Sequence, residues 1–398
     1  MPQDQKTVYD LIIVGASFAG LVCARTAALR GLKVAVLEAK PRPGARIHTT
    51  GILVKEATEA VDIPARFTRK IRGVRLYTPR GRSLDLHAPG YFFQATDTAG
   101  LLDWLGWEAQ AAGADLFCRC RFEGAERDGE GVRVSPLGIT GRYLVGADGA
   151  RSRVAEAFGL GTNRDWLVGV EAECHPSEDL DPRFLHCLID SQLAPGYLAW
   201  AVPGLGVTQV GLATRRTDKP DLAAVAARFG DLTGLTCDPV LGRRSGRIPC
   251  GGLVSPFATH RVCLTGDAAG LVSPLTGGGI RLAFHFGRRM AQVVGDYLED
   301  RGPDPGRVMA QEYPRFRTKV WMRKALSLAP PNGVIEALFA LPPMRRLAAS
   351  VYFHRRGVPG ASPVDPALDG KPEPGQTRTA PESGTVLRGE RAWEASTG

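Results

Sequence analysis

The residues in this chain best suited to chemistry sit in glycine-rich turns that run into helical patterns. Cys263 to Arg281 reads CLTGDAAGLVSPLTGGGIR. An apolar run ends at Thr265, Gly266-Asp267 turns the chain, and Pro274, Thr276, Gly277, Gly278 and Gly279 lead into a helical pattern from Ile280 to Leu298. Three consecutive glycines remove every side chain between backbone and ligand, and the positive end of a helix dipole lies behind them. A planar or anionic group can approach the N–H donors there. Taken alone, the stretch is equally a Gly-rich turn.

It has two counterparts. Tyr9 to Val14 (YDLIIV) is a nearly all-apolar run, as a parallel strand buried on both faces requires. It passes into Gly15-Ala16-Ser17-Phe18-Ala19-Gly20, a helical pattern from Leu21 to Leu29 closed by Gly31, and a second strand, Lys33 to Leu37, with Glu38 at its end. Strand, Gly-rich turn, helix, strand and acid in this order describe a dinucleotide-binding unit. Gly15 permits the tight turn, Gly20 permits close helix packing, and Glu38, about 20 residues on, can accept from ribose hydroxyls. Ser17 stands where the middle glycine usually is. Arg42 and Arg46, in the Pro/Gly/Arg stretch that follows, are candidates for a pyrophosphate or a substrate, or are surface charges. The second counterpart is GADGARS at 146 to 152, which sets Asp148 between glycines at a strand end. That is a turn, or a carboxylate near a cofactor's ribose or pyrophosphate.

The elements that must position these turns are an α/β fold: a Rossmann-type domain, an inserted β-sheet domain and C-terminal helices. A hairpin is expected around Pro79-Arg80-Gly81 and a further strand at 90–94. A helix follows at 101–112, then strands at 115–119 and 142–145. Four strands between 166 and 213 and a helix at 221–230 precede Gly246 to Cys250, which is expected to return the chain to the nucleotide lobe. The expected division is a discontinuous nucleotide domain (1–75, 98–165, 245–310), a substrate-binding sheet (76–97, 166–244), a helical segment (311–356) broken at Pro330-Pro331 and Pro342-Pro343, and a disordered tail (357–398) rich in Pro, Gly, Ser and Thr.

Composition narrows the class. At 398 residues, with 44% apolar and 23% charged, the chain is an ordinary globular protein long enough for two joined lobes. No apolar run reaches membrane-spanning length and the start has no secretory pattern, so a cytoplasmic location is expected. The eight cysteines are scattered without zinc spacing; no metal is expected, and most are read as reduced, partly buried small hydrophobes. The net charge of +9 is concentrated late: nine Lys or Arg face one acid between Arg315 and Arg356, interleaved with Trp321, Leu326, Leu328, Leu338 and Leu341. This suits peripheral contact with an anionic membrane surface or a long lipid substrate, or is a solvated cationic face. No nucleic-acid motif accompanies the charge, and nucleic acid is not an expected partner.

Together, GASFAG with Glu38, GADGARSRV (146–154) and GDAAGLVSPLTGGGI (266–280) resemble the geranylgeranyl reductase family of flavoproteins, within the larger group related in fold to para-hydroxybenzoate hydroxylase. The resemblance covers roughly residues 8 to 310. Gly270, Pro274-Leu275-Thr276-Gly277 and Ile280 follow the reductase style, as does Pro195-Gly196-Tyr197 with Trp200 and Pro203. It implies FAD as cofactor, NAD(P)H or another reductant as transient electron donor, and a hydrophobic small-molecule or lipid substrate. On this likeness Asp267 would bond the ribityl or pyrophosphate part of FAD. The 276–279 loop would serve the N1 and C2 carbonyl edge of the flavin, and Tyr197 and Trp200 would line the cavity above it. As aromatics of a sheet, those two residues read equally as core. Where many members carry a cysteine, this chain has His48, a candidate proton donor. Thr98 replaces an Arg or Gln that contacts the pyrophosphate. The leading expectation is reduction of isoprenoid double bonds; the alternative is an FAD-dependent monooxygenase of an aromatic or polyketide-like compound, since one fold carries both chemistries.

Overall fold

The computed structural model describes residues 8–58, 60–129 and 131–353, with the side chains of Met344 and Arg345 outside the description. The expected tail at 357–398 lies outside the described residues.

The first sheet explains why the three turns share a neighbourhood. Val8–Val14 lies between Val34–Leu37 and Ile139–Gly146, all parallel, and Val262–Leu264 adds in parallel beyond Ile139–Gly146. Register puts Val14 opposite both Leu37 and Gly146, and Gly146 opposite Leu264. The carboxyl ends of four strands are therefore in one row, and every predicted glycine turn starts at that row. Asp115–Phe117 continues the sheet outward, and an antiparallel pair, Gly124–Asp128 and Gly131–Ser135, branches from Ile139–Gly146.

A second, seven-stranded sheet runs in the order Val240–Pro249, Trp166–Cys174, Thr208–Arg215, Ala199–Pro203, Phe184–Leu188, Gly73–Tyr77 and Ser83–His87. Only Phe184–Leu188 and Gly73–Tyr77 pair in parallel. Residues 246–249, expected to rejoin the nucleotide lobe, are the end of a ten-residue strand of this sheet paired with Trp166–Cys174. The charged sequence GRRSGR hid the strand; it is an edge strand, where one row of backbone groups and one side-chain face can stay wet. The expected strand near 90–94 is Phe93–Thr96, in a separate three-stranded sheet with Ile52–Val54 and Thr68–Ile71.

The helices are α1 (Phe18–Leu29), α2 (Thr98–Ala111), α3 (Arg153–Ala157), α4 (Leu222–Thr233), α5 (Ile280–Leu298), α6 (Pro305–Glu312), α7 (Arg317–Leu326), α8 (Asn332–Phe339) and α9 (Pro342–Phe353). α5 crosses α1 closely: a Cβ on Gly287 would come within 2.5 Å of Ala19 O, and Phe18 meets Phe284 edge-on at 5.4 Å. α6 and α7 do not run on as one helix, because Pro314 cannot donate to the preceding turn and Phe316 takes φ 52°. The segment is broken at 340–341, and Pro342 begins α9, the position where its missing N–H costs nothing. Phe353 of α9 packs against Tyr91 and Phe93 at 5.5 and 5.8 Å, and the Glu336 carboxylate of α8 accepts from Arg80 N at 2.6 Å.

Two cysteines depart from expectation. Cys174 and Cys237, 63 residues apart, form a disulfide that ties a strand end to the loop after α4, while six others are free. Spacing alone cannot reveal such a pair. Cys174→Ser with Cys237→Ser is expected to lower stability by about 2–4 kcal/mol through a looser unfolded chain. Denaturant melts without reductant measure it; an unchanged midpoint would refute the contribution.

Candidate functional site

Three backbone turns meet at the sheet's carboxyl edge. Gly15 has φ +102°, and a Cβ there would lie 2.5 Å from Ala147 O, so the first and second motifs touch at this glycine. Ala147 N donates to Val14 O at 2.8 Å and fixes the contact. Ser17 caps α1: its Oγ accepts from Gly20 N at 3.3 Å and donates to Ala147 O at 3.0 Å. The substitution for the middle glycine thus becomes a helix cap that also binds the second motif. Gly20 lies against Gly15 O and Ala147, so α1 starts close to the strand edge. Buried Glu38 accepts from Ala16 N and Lys40 N, each at 2.8 Å, and keeps lone pairs for a ribose hydroxyl.

Asp148 has a local task that its motif did not reveal. One oxygen accepts from Arg153 N at 2.7 Å and Val154 N at 3.1 Å, capping α3 beside the N-cap Ser152. Any cofactor contact by Asp148 falls to what remains of its acceptor capacity. Arg46 is exposed with φ 47°, whereas Arg42 forms an ion pair with Asp103, the structural role its sequence left open. Thr98 bonds Thr96 and faces Thr50 O.

The third motif closes the edge. Asp267 lies in a short 3-10 turn (Gly266–Ala269), and its Oδ1 is 3.4 Å from where a Cβ on Gly279 would stand. The carboxylate therefore faces the start of α5, whose N-cap Gly279 provides no side-chain acceptor for the first-turn N–H groups. Asn163, unsuspected from sequence, donates to Asp267 O at 2.8 Å and Ala150 O at 3.2 Å, joining the second and third motifs. No periodicity or spacing signals such a residue.

Burial raises Asp267 from 3.8 to about 6. A carboxyl with a raised folded pKa stabilises the fold below its unfolded pKa, and that contribution is lost as pH rises through the folded value. Flavin-free protein is therefore expected to lose on the order of 2 kcal/mol between pH 4 and 6 from this group. Asp267→Asn should remove that component of the melting profile; an unchanged slope would contradict it.

Pro274 is buried and starts a loop that folds on itself: Gly277 N donates to Ser273 O at 2.9 Å, and Ser273 N to Gly278 O at 3.0 Å. Gly277 N–H is thus engaged within the loop. The donors that remain are those of Thr276, Gly278 and Gly279. Gly277 has φ +64°, and a side chain there would press on Tyr197 OH.

Tyr197 reaches this loop from the second sheet, its OH donating to Thr276 O at 2.6 Å. Burial pushes its phenol pKa up, so it stays protonated. Trp200 packs over Gly211 and donates from Nε1 to Glu171 at 2.7 Å. Glu171, 3% exposed, also accepts from Arg244 Nε at 2.6 Å, and Arg244 pairs with Glu173 at 3.1 Å. Tyr197 and Trp200 share an apolar cluster with Leu167, Ala213, Ile248 and Cys250. His48 is exposed, with Nδ1 2.9 Å from Ser245 O on the edge strand. The structure thus brings Tyr197 to the 276–279 loop, whereas His48 meets the second sheet at a different point. A pocket of about 310 Å³ lined by Arg69, Pro176, Glu178, Pro203 and Val207 includes none of these residues.

A parallel sheet with three glycine turns at its carboxyl edge, an acid on the first turn and an uncapped helix behind the last is the architecture of a dinucleotide-binding flavoprotein. The family model described as FAD binding domain matches residues 8–300, and the chain belongs to that family. It is 28% identical over 332 residues to digeranylgeranylglycerophospholipid reductase 2 of Methanothermobacter thermautotrophicus, covering 78% of this chain and 84% of the relative. The fold matches a geranylgeranyl bacteriochlorophyll reductase-like protein of Thermoplasma acidophilum with TM-score 0.75 at 20% identity, covering 88% and 97% of the two chains. It also matches PqsL of Pseudomonas aeruginosa, a probable FAD-dependent monooxygenase, with TM-score 0.65 at 19% identity, covering 84% and 100%. The protein is an FAD-dependent oxidoreductase, geranylgeranyl reductase-like in sequence. Its residues fit the cofactor: the Gly15 cradle has no room for a side chain, and the uncapped α5 start with Asp267 offers donors and an acceptor together.

Proposed function

We propose that the protein reduces carbon–carbon double bonds of an isoprenoid chain carried on a lipid, a diphosphate or a quinone. When bound, reduced FAD supplies the hydride for this chemistry. Thr276, Gly278 and Gly279 would hold the N1 and C2 carbonyl edge of the ring, stabilising negative charge there. Tyr197 fixes that loop through Thr276 O, and Trp200, Leu167 and Ile248 would give the chain an apolar wall. By the family likeness His48 would be the proton donor, its ring oriented by the contact of Nδ1 with Ser245 O. NAD(P)H or another reductant would bind transiently as electron source.

The observation that carries this reading is the 2.6 Å bond from Tyr197 OH to Thr276 O, which couples a sheet with an apolar face directly to the proposed flavin loop. The sequence likeness to a digeranylgeranylglycerophospholipid reductase supports it. Exposed Trp321 (71%) and Leu328 (81%), among the basic residues of α7 and its surroundings, would suit peripheral contact with an anionic membrane. Among the described residues no helix is long and apolar enough to cross one.

The test is anaerobic. Protein reduced with dithionite and mixed with prenyl substrates is expected to reoxidise without oxygen, the product gaining mass in steps of two hydrogens. Flavin that stays reduced until air enters, followed by labelled oxygen in an aromatic ligand, would replace this reading with a monooxygenase.

A further inference from the structure

The basic segment after residue 315 contains one arginine unlike a surface charge. Arg323 of α7 is 3% exposed, and its guanidinium carbon sits 5.7 Å from the centre of the Tyr197 ring. Nη2 donates to Gly196 O, while Nε and Nη1 are buried with no hydrogen-bond partner. Among the described residues no carboxylate pairs with it. The titratable groups that act on it are the Tyr197 phenol and the Cys250 thiol, and burial raises the pKa of both, so neither supplies a negative charge at neutral pH. Carboxylates on the elements packed nearby are committed elsewhere, Asp218 to Arg215 and Glu171 to Arg244. Asp165, whose backbone O bonds Cys250 N, is exposed to solvent. Arginine does not shed its proton when buried, so one uncompensated positive charge is held inside the protein.

That charge is fixed near the place where the second sheet meets the 276–279 loop. Arg215 Nη1 donates to Ser327 O at 2.9 Å, which holds the end of α7 against the sheet. A Cβ on Gly252 would lie 3.1 Å from Val320 Cγ2, so α7 also rests on the chain just past Cys250. Tyr197, under the guanidinium, donates to Thr276 O at 2.6 Å. One aromatic ring and one hydrogen bond therefore separate the charge from the loop, a path of roughly 10 Å, over which a charge away from water is still felt. Leu167, Trp200, Ala213 and Ile248 cluster with Tyr197, so the surround is apolar and salt screens the charge little.

We infer that Arg323 tunes the bound flavin electrostatically, its buried unpaired charge favouring the anionic reduced form over the neutral oxidised one. Two electrons and one proton taken up by FAD leave one added negative charge, which the N–H groups of Thr276, Gly278 and Gly279 would face. Arg323 touches neither substrate nor ring and acts through the field it sets up across Tyr197. At roughly 10 Å and an effective dielectric of about 20, a unit charge changes such an equilibrium by about tenfold. Removing it lowers the reduction potential. Asp267, the buried carboxyl that faces the start of α5, is common to parent and variants, so their comparison isolates Arg323. The inference rests on the reading that the 276–279 loop holds the ring, and is independent of which substrate takes the hydride.

The potential of bound FAD tests it without substrate. Holoprotein is reduced anaerobically by xanthine and xanthine oxidase beside a reference dye, and the oxidised fractions of flavin and dye are read together. Arg323→Met is expected to move the equilibrium about tenfold toward oxidised flavin, about 30 mV more negative for a two-electron couple. Arg323→Lys, which restores the charge, should recover most of that shift. The difference between parent and Arg323→Met should persist from about 0.05 to 0.5 M salt, because the charge is buried. Without flavin, Arg323→Met should melt no lower than the parent, since it removes an unmatched buried charge. An arginine that only packs α7 would instead lower the melt and leave the potential alone. Should Arg323→Met fail to fold or to hold flavin, Arg323→Gln takes its place as the neutral variant. A flavin-loaded neutral variant within about twofold of the parent equilibrium, or a shift that lysine leaves uncorrected, would overturn the inference. Tyr197→Phe separates this from failure of the loop reading, because losing the bond to Thr276 O should weaken FAD binding several-fold if the loop holds the ring. Weaker FAD in Tyr197→Phe with an unmoved potential in the neutral Arg323 variant removes the role of Arg323 alone. FAD affinity and potential indifferent to both changes remove the loop reading with it.

Discussion

Gly15→Val protein is expected to purify without flavin, with affinity for FAD lowered at least about 100-fold. Two independent causes add. At φ +102° a β-branched residue is strained by a few kcal/mol, and the added Cβ meets Ala147 O at 2.5 Å. Relief requires moving either Val14–Gly15 or the 146–148 turn, and both lie in the row of strand ends that aims α1. Since each 1.4 kcal/mol is tenfold in affinity, about 3 kcal/mol of displacement exceeds a factor of 100. Flavin content per chain and titration of FAD into apoprotein measure the loss. Gly113→Ala is the control: it has φ +104° but nothing within 4 Å of an added Cβ, so it should retain flavin. Stoichiometric FAD in Gly15→Val would show that the turn is not the cofactor cradle.

Arg244→Met is expected to destabilise the protein by about 3 kcal/mol, read from the denaturant midpoint. Glu171 would keep only the Trp200 Nε1 bond while staying buried, and an uncompensated buried carboxylate is the expensive state. Restoring balance by a second change, Glu171→Leu, should recover most of the loss, because removing both charges costs far less than removing one. Failure of the double variant to recover would mean that Arg244 acts through its pair with Glu173 or its packing instead.

The contrast between these two sites shows what a sequence can reveal. Gly15, Gly20 and Gly277 are legible because backbone geometry itself demands glycine, and α5 is legible from Ile280 to Leu298 because its apolar period is unbroken. Glu171, Arg244 and Trp200 lie on three different strands, and only pairing in the sheet brings them together. Asn163 between two motifs, and Cys174 with Cys237, are likewise brought together only by the folded chain. Asp148 is legible as part of a motif, yet its contacts are with the first turn of α3. Arg323 is 3% exposed and donates to Gly196 O, yet composition cannot separate one inward arginine from its outward neighbours. The double prolines at 330–331 and 342–343 mark two helix breaks in the sequence, whereas the break at the single Pro314 has a weaker signal.

The row made by Val14, Leu37, Gly146 and Leu264 also sets a timetable. A nascent chain exposes its first glycine turn almost at once, but the edge is complete only when the strand at 262–264 and the helix that begins at residue 280 have been made. At roughly 5–20 residues per second, that is on the order of 15 to 50 s of synthesis. During that interval the apolar run at 8–14 has one of its two lasting neighbours close at hand and must wait for the other, Ile139–Gly146, to leave the ribosome. Cofactor capture is consequently a late event in the synthesis of each molecule.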